Sequence, residues 1–348
     1  MLIALDSGEL VYTGRIDFHD PKHPEWIFPA TALHFRFYGK GASLWVTNRN
    51  DYWKNTLGAI VDGAQLRFDL NNDGETELRL VDEASDSEHD VLVFKRMDGC
   101  HEVVLERLAL SEGSRLLPAP DRPRRRIEVY GDSVSAGELS EAVHRTGMTD
   151  PPHNGEFSNS WYSYAWLTAR RLGAELHDIA QGGIALLDGT GWFHEPNAVG
   201  MESVWDAVHY SPAFGGRTSW DFLRWTPQAV IVALGQNDSH PSDYMTQSPD
   251  GEQGKRWKDA YKAFLMKLRE TYPKARIICC TTLLEHDAAW DDAIGKACRE
   301  MNDANISQYR FRRNGRGTPG HLRIPEAEEM AAELADYIES LHIEGWDQ

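Results

Sequence analysis

Ile127-Glu128-Val129-Tyr130-Gly131-Asp132-Ser133-Val134-Ser135-Ala136-Gly137 decides how this chain is read. A short apolar run ends in Gly-Asp-Ser, which places the serine at the carboxyl end of a buried strand. In open α/β sheets that edge faces the crevice where ligands bind. A serine held there is positioned as a nucleophile, and it needs a base and oxyanion donors from elsewhere in the chain.

Downstream of Ile127 strand and helix patterns alternate. Strands are predicted at 127–131, 175–180, 229–234 and 276–282, and helices at about 160–172, 254–271, 287–303 and 325–341. In the last helix Met330, Leu334, Tyr337, Ile338 and Leu341 form one apolar face. Such alternation predicts a parallel sheet covered on both sides. Irregular segments at 138–159, 182–202 and 210–226 interrupt it, as substrate-binding loops and lids do.

Upstream, short alternating runs recur at 33–37, 44–46, 59–61, 66–68, 91–94 and 103–105, separated by turn signals. They predict a β-sandwich or jelly roll. Asp69, Asn71, Asp73 and Gly74 begin like a calcium loop, but its twelfth position is Leu80, so a plain hairpin turn is expected. The Pro- and Arg-rich stretch 117–126 is the junction, giving a β-domain at 1–120 and an α/β domain at 121–348. Its arginines are expected to pair with neighbouring carboxylates.

The chain has 348 residues and a net charge of −18, with −8 in residues 1–120 and −10 in residues 121–348. With no basic half, nucleic acid and anionic membrane surfaces are excluded as expected partners, and a neutral substrate fits better. No stretch approaches the ~20 apolar residues of a membrane span. The start, Met1-Leu2-Ile3-Ala4-Leu5-Asp6, carries no signal-peptide pattern. Cys279 and Cys280 are adjacent in a strand, and Cys100 and Cys298 are isolated, which reads as buried free thiols. A cytoplasmic location is the expectation.

Four blocks in the second domain carry the chemistry: Gly131-Asp132-Ser133, Ala180-Gln181-Gly182-Gly183, Leu234-Gly235-Gln236-Asn237-Asp238, and His321 before the terminal helix. Each lies just past a strand or before a helix, so the fold brings all four to one sheet edge. Ser133 needs a base, and a neutral imidazole serves near pH 7. A tetrahedral intermediate needs donors, for which the Ser133 N–H, a glycine N–H and the Asn237 amide are suited. His240, close behind Asn237, is the competing base. Trp192, with Trp205, Trp220 and Trp225, offers flat surfaces on which a sugar ring stacks, against the default of core packing.

These blocks resemble those of the GDSL, or SGNH, hydrolases, named after Ser, Gly, Asn and His, over about residues 127–341. Gly14-Arg15, Val61-Asp62-Gly63 and Lys95-Arg96 in the first domain are similar to carbohydrate esterase family 2, which joins a jelly-roll domain to an SGNH domain. The resemblance implies a three-layer α/β fold with a flavodoxin-like parallel sheet. It also implies a carbohydrate O-acetyl esterase that works through an acetyl-enzyme without metal or organic cofactor. On it, Ser133 is the nucleophile, His321 the base, and Ser133, Gly182 and Asn237 form the oxyanion hole; Gly183 is the alternative to Gly182, because the second block is compressed. Trp192 is the candidate substrate-binding residue, with an acetylated carbohydrate as the partner. Many such enzymes carry Asp three residues before the histidine. Here that position is Thr318, so a Ser-His dyad is expected, with Thr318 or its carbonyl as candidate orienter. The rival readings are an SGNH esterase acting on other acyl chains, and a carbohydrate-binding protein with an inactive hydrolase domain.

Overall fold

A computed structural model describes residues 1–72, 74–82 and 85–346. Residues 2–116 supply two antiparallel sheets, and the parallel sheet begins at Arg125. One antiparallel sheet runs Ile16–Asp17, Glu25–Trp26, His101–Leu110, Ala42–Asn50, Glu75–Val81, with Leu2–Ile3 beside His101–Leu110. The other runs Arg115–Leu116, Ala32–Gly39, Ser87–Lys95, Thr56–Val61, Ala64–Asp69, with Val11–Thr13 beside Ala32–Gly39. Period-two burial drives their packing: Leu33, Phe35 and Phe37 of one sheet meet Leu44, Val46, Val103 and Leu105 of the other in one core. The hairpin turn expected at the run Asp69, Asn71, Asp73 and Gly74 does not join paired strands. Ala64–Asp69 pairs with Thr56–Val61, whereas Glu75–Val81 pairs with Ala42–Asn50, so the turn passes between sheets. Asp73 of the calcium-like run lies outside the described residues.

The parallel sheet has the order Ala174–Ala180, Arg125–Gly131, Ala229–Ala233, Arg276–Cys279, Ile306–Gln308. In chain order this is second, first, third, fourth, fifth, the flavodoxin-like arrangement whose switch point lies beside the first strand. The fifth strand, three residues long, escaped the sequence pattern because it has too few apolar residues to show a period. Its faces are covered on opposite sides. Tyr130, Val230, Val232 and Cys279 face a core with the helices Glu252–Thr271 and Ala288–Met301. Ile127, Val129, Ile231 and Cys280 face the helices Tyr164–Arg171 and Ile324–Ser340. Cys279 and Cys280 therefore point to opposite faces, and all four cysteines are free and buried. At the junction Arg122 pairs with Glu175 and Arg125 with Glu339. Among the described residues no helix is long and apolar enough to cross a membrane.

Two of the first-domain motifs, Gly14-Arg15 and Lys95-Arg96, lie where the sandwich meets the second domain, whereas Val61-Asp62-Gly63 is the turn between Thr56–Val61 and Ala64–Asp69. Arg15, fully buried, donates to Glu128 Oε1 at 2.9 Å, to the Tyr130 hydroxyl at 2.6 Å and to the Trp205 carbonyl at 2.6 Å. Arg96 pairs with Glu141, and its carbonyl accepts from the Ser160 N–H at 2.8 Å. These contacts tie the β-sandwich to the first parallel strand and to the loop that follows it.

Candidate active site

Ser133 opens the short helix Ser133–Ala136 directly after the strand Arg125–Gly131. Asp132 caps that helix by accepting the Val134 N–H at 3.0 Å, and burial pushes its carboxyl up to about 6. Asp132 is thus the structural half of Gly-Asp-Ser, fixing the turn that exposes the hydroxyl. His321 precedes the terminal helix and reaches across 188 residues of sequence, its Nε2 2.7 Å from Ser133 Oγ.

The other face of that imidazole departs from the sequence reading. His321 Nδ1 lies 2.7 Å from Asp150 Oδ2, so the expected dyad is completed by a carboxylate from the 138–159 loop. Thr318 is not the orienter; its hydroxyl faces the Gly320 N–H. Asp150 is itself held at Oδ1 by the His321 N–H and by Arg323 Nη2, both at 2.9 Å. Burial opposes its charge, yet His153, His321 and Arg323 outweigh burial and hold the carboxyl well below the usual carboxylate range. For His321 burial likewise opposes charging, but the Glu138 and Asp150 carboxylates prevail and raise its pKa. An Asp–His–Ser relay of this geometry can draw the proton from a serine hydroxyl.

The oxyanion side also needs correction. The Gly182 N–H is committed to Asp98 Oδ2 at 2.7 Å, so it is not a free donor. Among the described residues neither the Gly183 N–H nor the Ser133 N–H has an acceptor, and Gly183 lines the cleft beside Ser133. The alternative glycine is therefore the one placed for the role. Its φ of +74° and the 2.9 Å between a built Cβ and Trp192 Cβ explain why it is glycine. Asn237 lines the same cleft, its amide donating to the Ile184 carbonyl at 3.1 Å and to Asp132 at 3.4 Å.

The cleft has a volume of about 410 Å³ and is lined by Tyr52, Trp53 and Trp192 as well as the polar groups. Trp192 is 57% exposed and stacks on His240 with ring centroids 3.3 Å apart. His240 also contacts Glu195 at 3.1 Å, whereas the imidazole that meets Ser133 Oγ is that of His321, so His240 is not the base. The other candidate stacking residues are packing residues. Trp220 and Trp225 are buried, and Trp205 is half-buried against Phe222.

Sequence reasoning missed Asp150, Glu138, His153, Tyr52, Trp53 and Asp98. The length of the 138–159 segment was the one signal for the first three. His153 bridges Glu138, at 2.5 Å from Nδ1, and Asp150, at 3.4 Å from Nε2. Those two contacts push it up to about 10.

An open parallel sheet that presents this relay at its carboxyl edge defines an α/β serine hydrolase. The model of the GDSL-like lipase/acylhydrolase family matches residues 129–315, and that of the carbohydrate esterase 2 N-terminal domain matches residues 12–120. The chain belongs to the GDSL-like family and, by its two-domain composition, to carbohydrate esterase family 2. It is a serine carboxylic-ester hydrolase. An acetylxylan esterase/glucomannan deacetylase from Cellvibrio japonicus is 30% identical over 97% of this chain and 90% of its own length. The cellulase/esterase CelE of Acetivibrio thermocellus is 30% identical over 87% of this chain, which spans only 34% of that protein. A family two carbohydrate esterase from Clostridium thermocellum, solved in complex with cellohexaose, superposes with a TM-score of 0.79 at 26% identity, covering 97% of this chain and 99% of that one. One from Cellvibrio japonicus shares the fold with a TM-score of 0.83 at 22% identity, covering 100% and 99%.

Proposed function

We propose that this protein removes acetyl groups from O-acetylated sugars or oligosaccharides through an acetyl-Ser133 intermediate. The carrying observation is the Ser133–His321–Asp150 relay opening into an aromatic-walled cleft. Neutral His321 accepts the Ser133 proton at Nε2 as Oγ attacks the acetyl carbonyl. Asp150 keeps the other proton on Nδ1 and balances the imidazolium that forms. The Ser133 and Gly183 N–H groups take the negative charge on the carbonyl oxygen, and the Asn237 amide joins them by giving up its 3.4 Å contact with Asp132. His321 then gives its proton to the departing sugar hydroxyl. In the second half, water delivers its proton to His321 and releases acetate, regenerating Ser133.

Tyr52, Trp53 and Trp192 give the cleft faces suited to pyranose C–H groups, with polar neighbours for hydroxyls. The relatives named acetylxylan esterase and glucomannan deacetylase, and the relative solved with cellohexaose, support a β-linked acetylated oligosaccharide as substrate. Polar Glu138, His153 and Asn237 crowd Ser133, which favours acetyl over a long acyl chain. The inactive-domain reading rested on the missing carboxylate at position 318, and Asp150 removes that ground.

Ser133→Ala and His321→Ala are each expected to abolish acetate release from acetylated cello- and xylo-oligosaccharides while circular dichroism stays unchanged. Full activity in either variant removes the mechanism. Rates on 4-nitrophenyl acetate, butyrate and octanoate should fall with chain length; a rise would favour the acyl-chain reading.

A further inference from the structure

The relay leaves His153 without a task, although its Nε2 stands 3.4 Å from Asp150 Oδ2 in the cleft. Asp150, His153 and His321 each offer one ligand atom within 4.8 Å of the others. The carboxylate oxygen is 2.7 Å from His321 Nδ1 and 3.4 Å from His153 Nε2. Ligand atoms on one tetrahedral zinc are about 3.3 Å apart, given bonds of ~2.0–2.2 Å. Small side-chain shifts therefore bring all three to one ion.

The surroundings are those of a metal site as well. Glu138 Oε1 engages His153 Nδ1 at 2.5 Å, which turns Nε2 inward towards Asp150 Oδ2. Carboxylates placed behind ligating histidines do this in metal sites generally. Arg323 is bonded to the other oxygen of Asp150 and to the His321 carbonyl, leaving Oδ2 for the ion. Glu138 contributes a second negative charge, 3.9 Å from His321 Nε2. His153 has a 37% exposed side chain and lines the open cleft, which provides entry and room for water at the fourth position.

We propose that Asp150, His153 and His321 form a zinc site that switches the esterase off, a regulation that rests on His321 being the base. When zinc binds, the proton on His153 Nε2 passes to solvent, and neutral His321 changes tautomer, its one proton leaving Nδ1 for Nε2. The proton that His321 keeps then sits on Nε2, where it donates to Ser133 Oγ. An imidazole in that tautomer has no lone pair facing the serine and cannot take its proton. The bound ion also removes Asp150 from its role behind the imidazole.

The test reads binding apart from turnover. Chelator-stripped Ser133→Ala protein is titrated with zinc against a chromogenic chelator. One equivalent is expected at micromolar affinity, weakened at least ~10-fold by His153→Gln. Two other Asp/Glu/Cys/His groupings, Asp98 with Cys100 and His101, and Glu25 with Glu102 and His209, do not contain His153, so zinc held there survives that substitution. In the active protein, zinc at the same concentrations should stop acetate release, and a chelator should restore it. Zinc binding that is unchanged by His153→Gln overturns the site. Full turnover by the zinc-saturated enzyme overturns the switch. Because Ser133→Ala turns nothing over, failure of the metal site is distinguishable from failure of the Ser133–His321 mechanism, which the activity of metal-free Ser133→Ala tests by itself.

Discussion

Asp150 is the residue on which the relay turns, since among the described residues it is the one that meets His321 Nδ1, and it is pinned from behind by Arg323. Asp150→Asn keeps the shape but no longer balances the imidazolium. A loss of ~10²–10⁴ in kcat is expected, the upper end being that of a complete triad. Thr318→Ala should leave kcat within about twofold, and equal losses at both positions would return the orienting role to the 318 region. The charge on His321 sets a second expectation. Its pKa is raised by Glu138 and Asp150, and only the neutral ring accepts the serine proton. The kcat/KM of the chelator-treated enzyme should therefore fall as pH drops through a midpoint above the ordinary histidine value of about 6.5. A midpoint below that value contradicts the arrangement of carboxylates around the ring.

Among the elements, two loops do the work that the strands and helices only support. The 182–202 segment carries Gly183 and Trp192, and their backbones touch. Gly183→Ala forces a side chain into a positive-φ site against Trp192. The displaced N–H should cost ~10²–10³ in kcat, with a smaller change in KM. Trp192→Ala in the same loop should act differently, raising KM for acetylated oligosaccharides more than for 4-nitrophenyl acetate. Equal effects on both substrates would remove the stacking role. The 138–159 segment reads as an irregular connection, yet it delivers Glu138, Asp150 and His153 to one cleft. Its function is carried by rigid placement. Asp150 bridges to Arg323, Glu138 to His153, and the Glu141 N–H to the Phe157 carbonyl at 2.9 Å.

At the scale of the molecule, the sandwich is part of the active site. Tyr52 and Trp53 come from the loop after Ala42–Asn50, and Asp98 from the connection after Ser87–Lys95. Asp98 holds the Gly182 N–H and the Gln181 amide, so the sandwich shapes the oxyanion loop of the other sheet. Arg15 and Glu128 are the buried pair across the same joint. Arg15→Met leaves Glu128 as an unpaired buried charge, and ~3–5 kcal/mol of stability should be lost in denaturant unfolding. The double variant Arg15→Met/Glu128→Leu should recover part of that loss. A single-variant effect below ~1 kcal/mol would show that the joint does not rest on this pair.

Local patterning by itself determined the layered architecture, because strand and helix periods and the Gly-Asp-Ser turn are written in contiguous residues. It also determined Ser133, Asn237 and His321, since each adjoins the end of a strand or the start of a helix and so must reach the same sheet edge. The identity of the acid was decided only by tertiary structure. Asp150 sits in a segment with no periodicity, and nothing local distinguishes it from the other carboxylates until the chain closes around His321. The choice of glycine was decided in the same way, because whether an N–H is free depends on a carboxylate 84 residues away in sequence. Trp220 and Trp225 show the reverse case: a tryptophan's type marks it for stacking, but only the packing of two layers determines whether its face meets solvent or core.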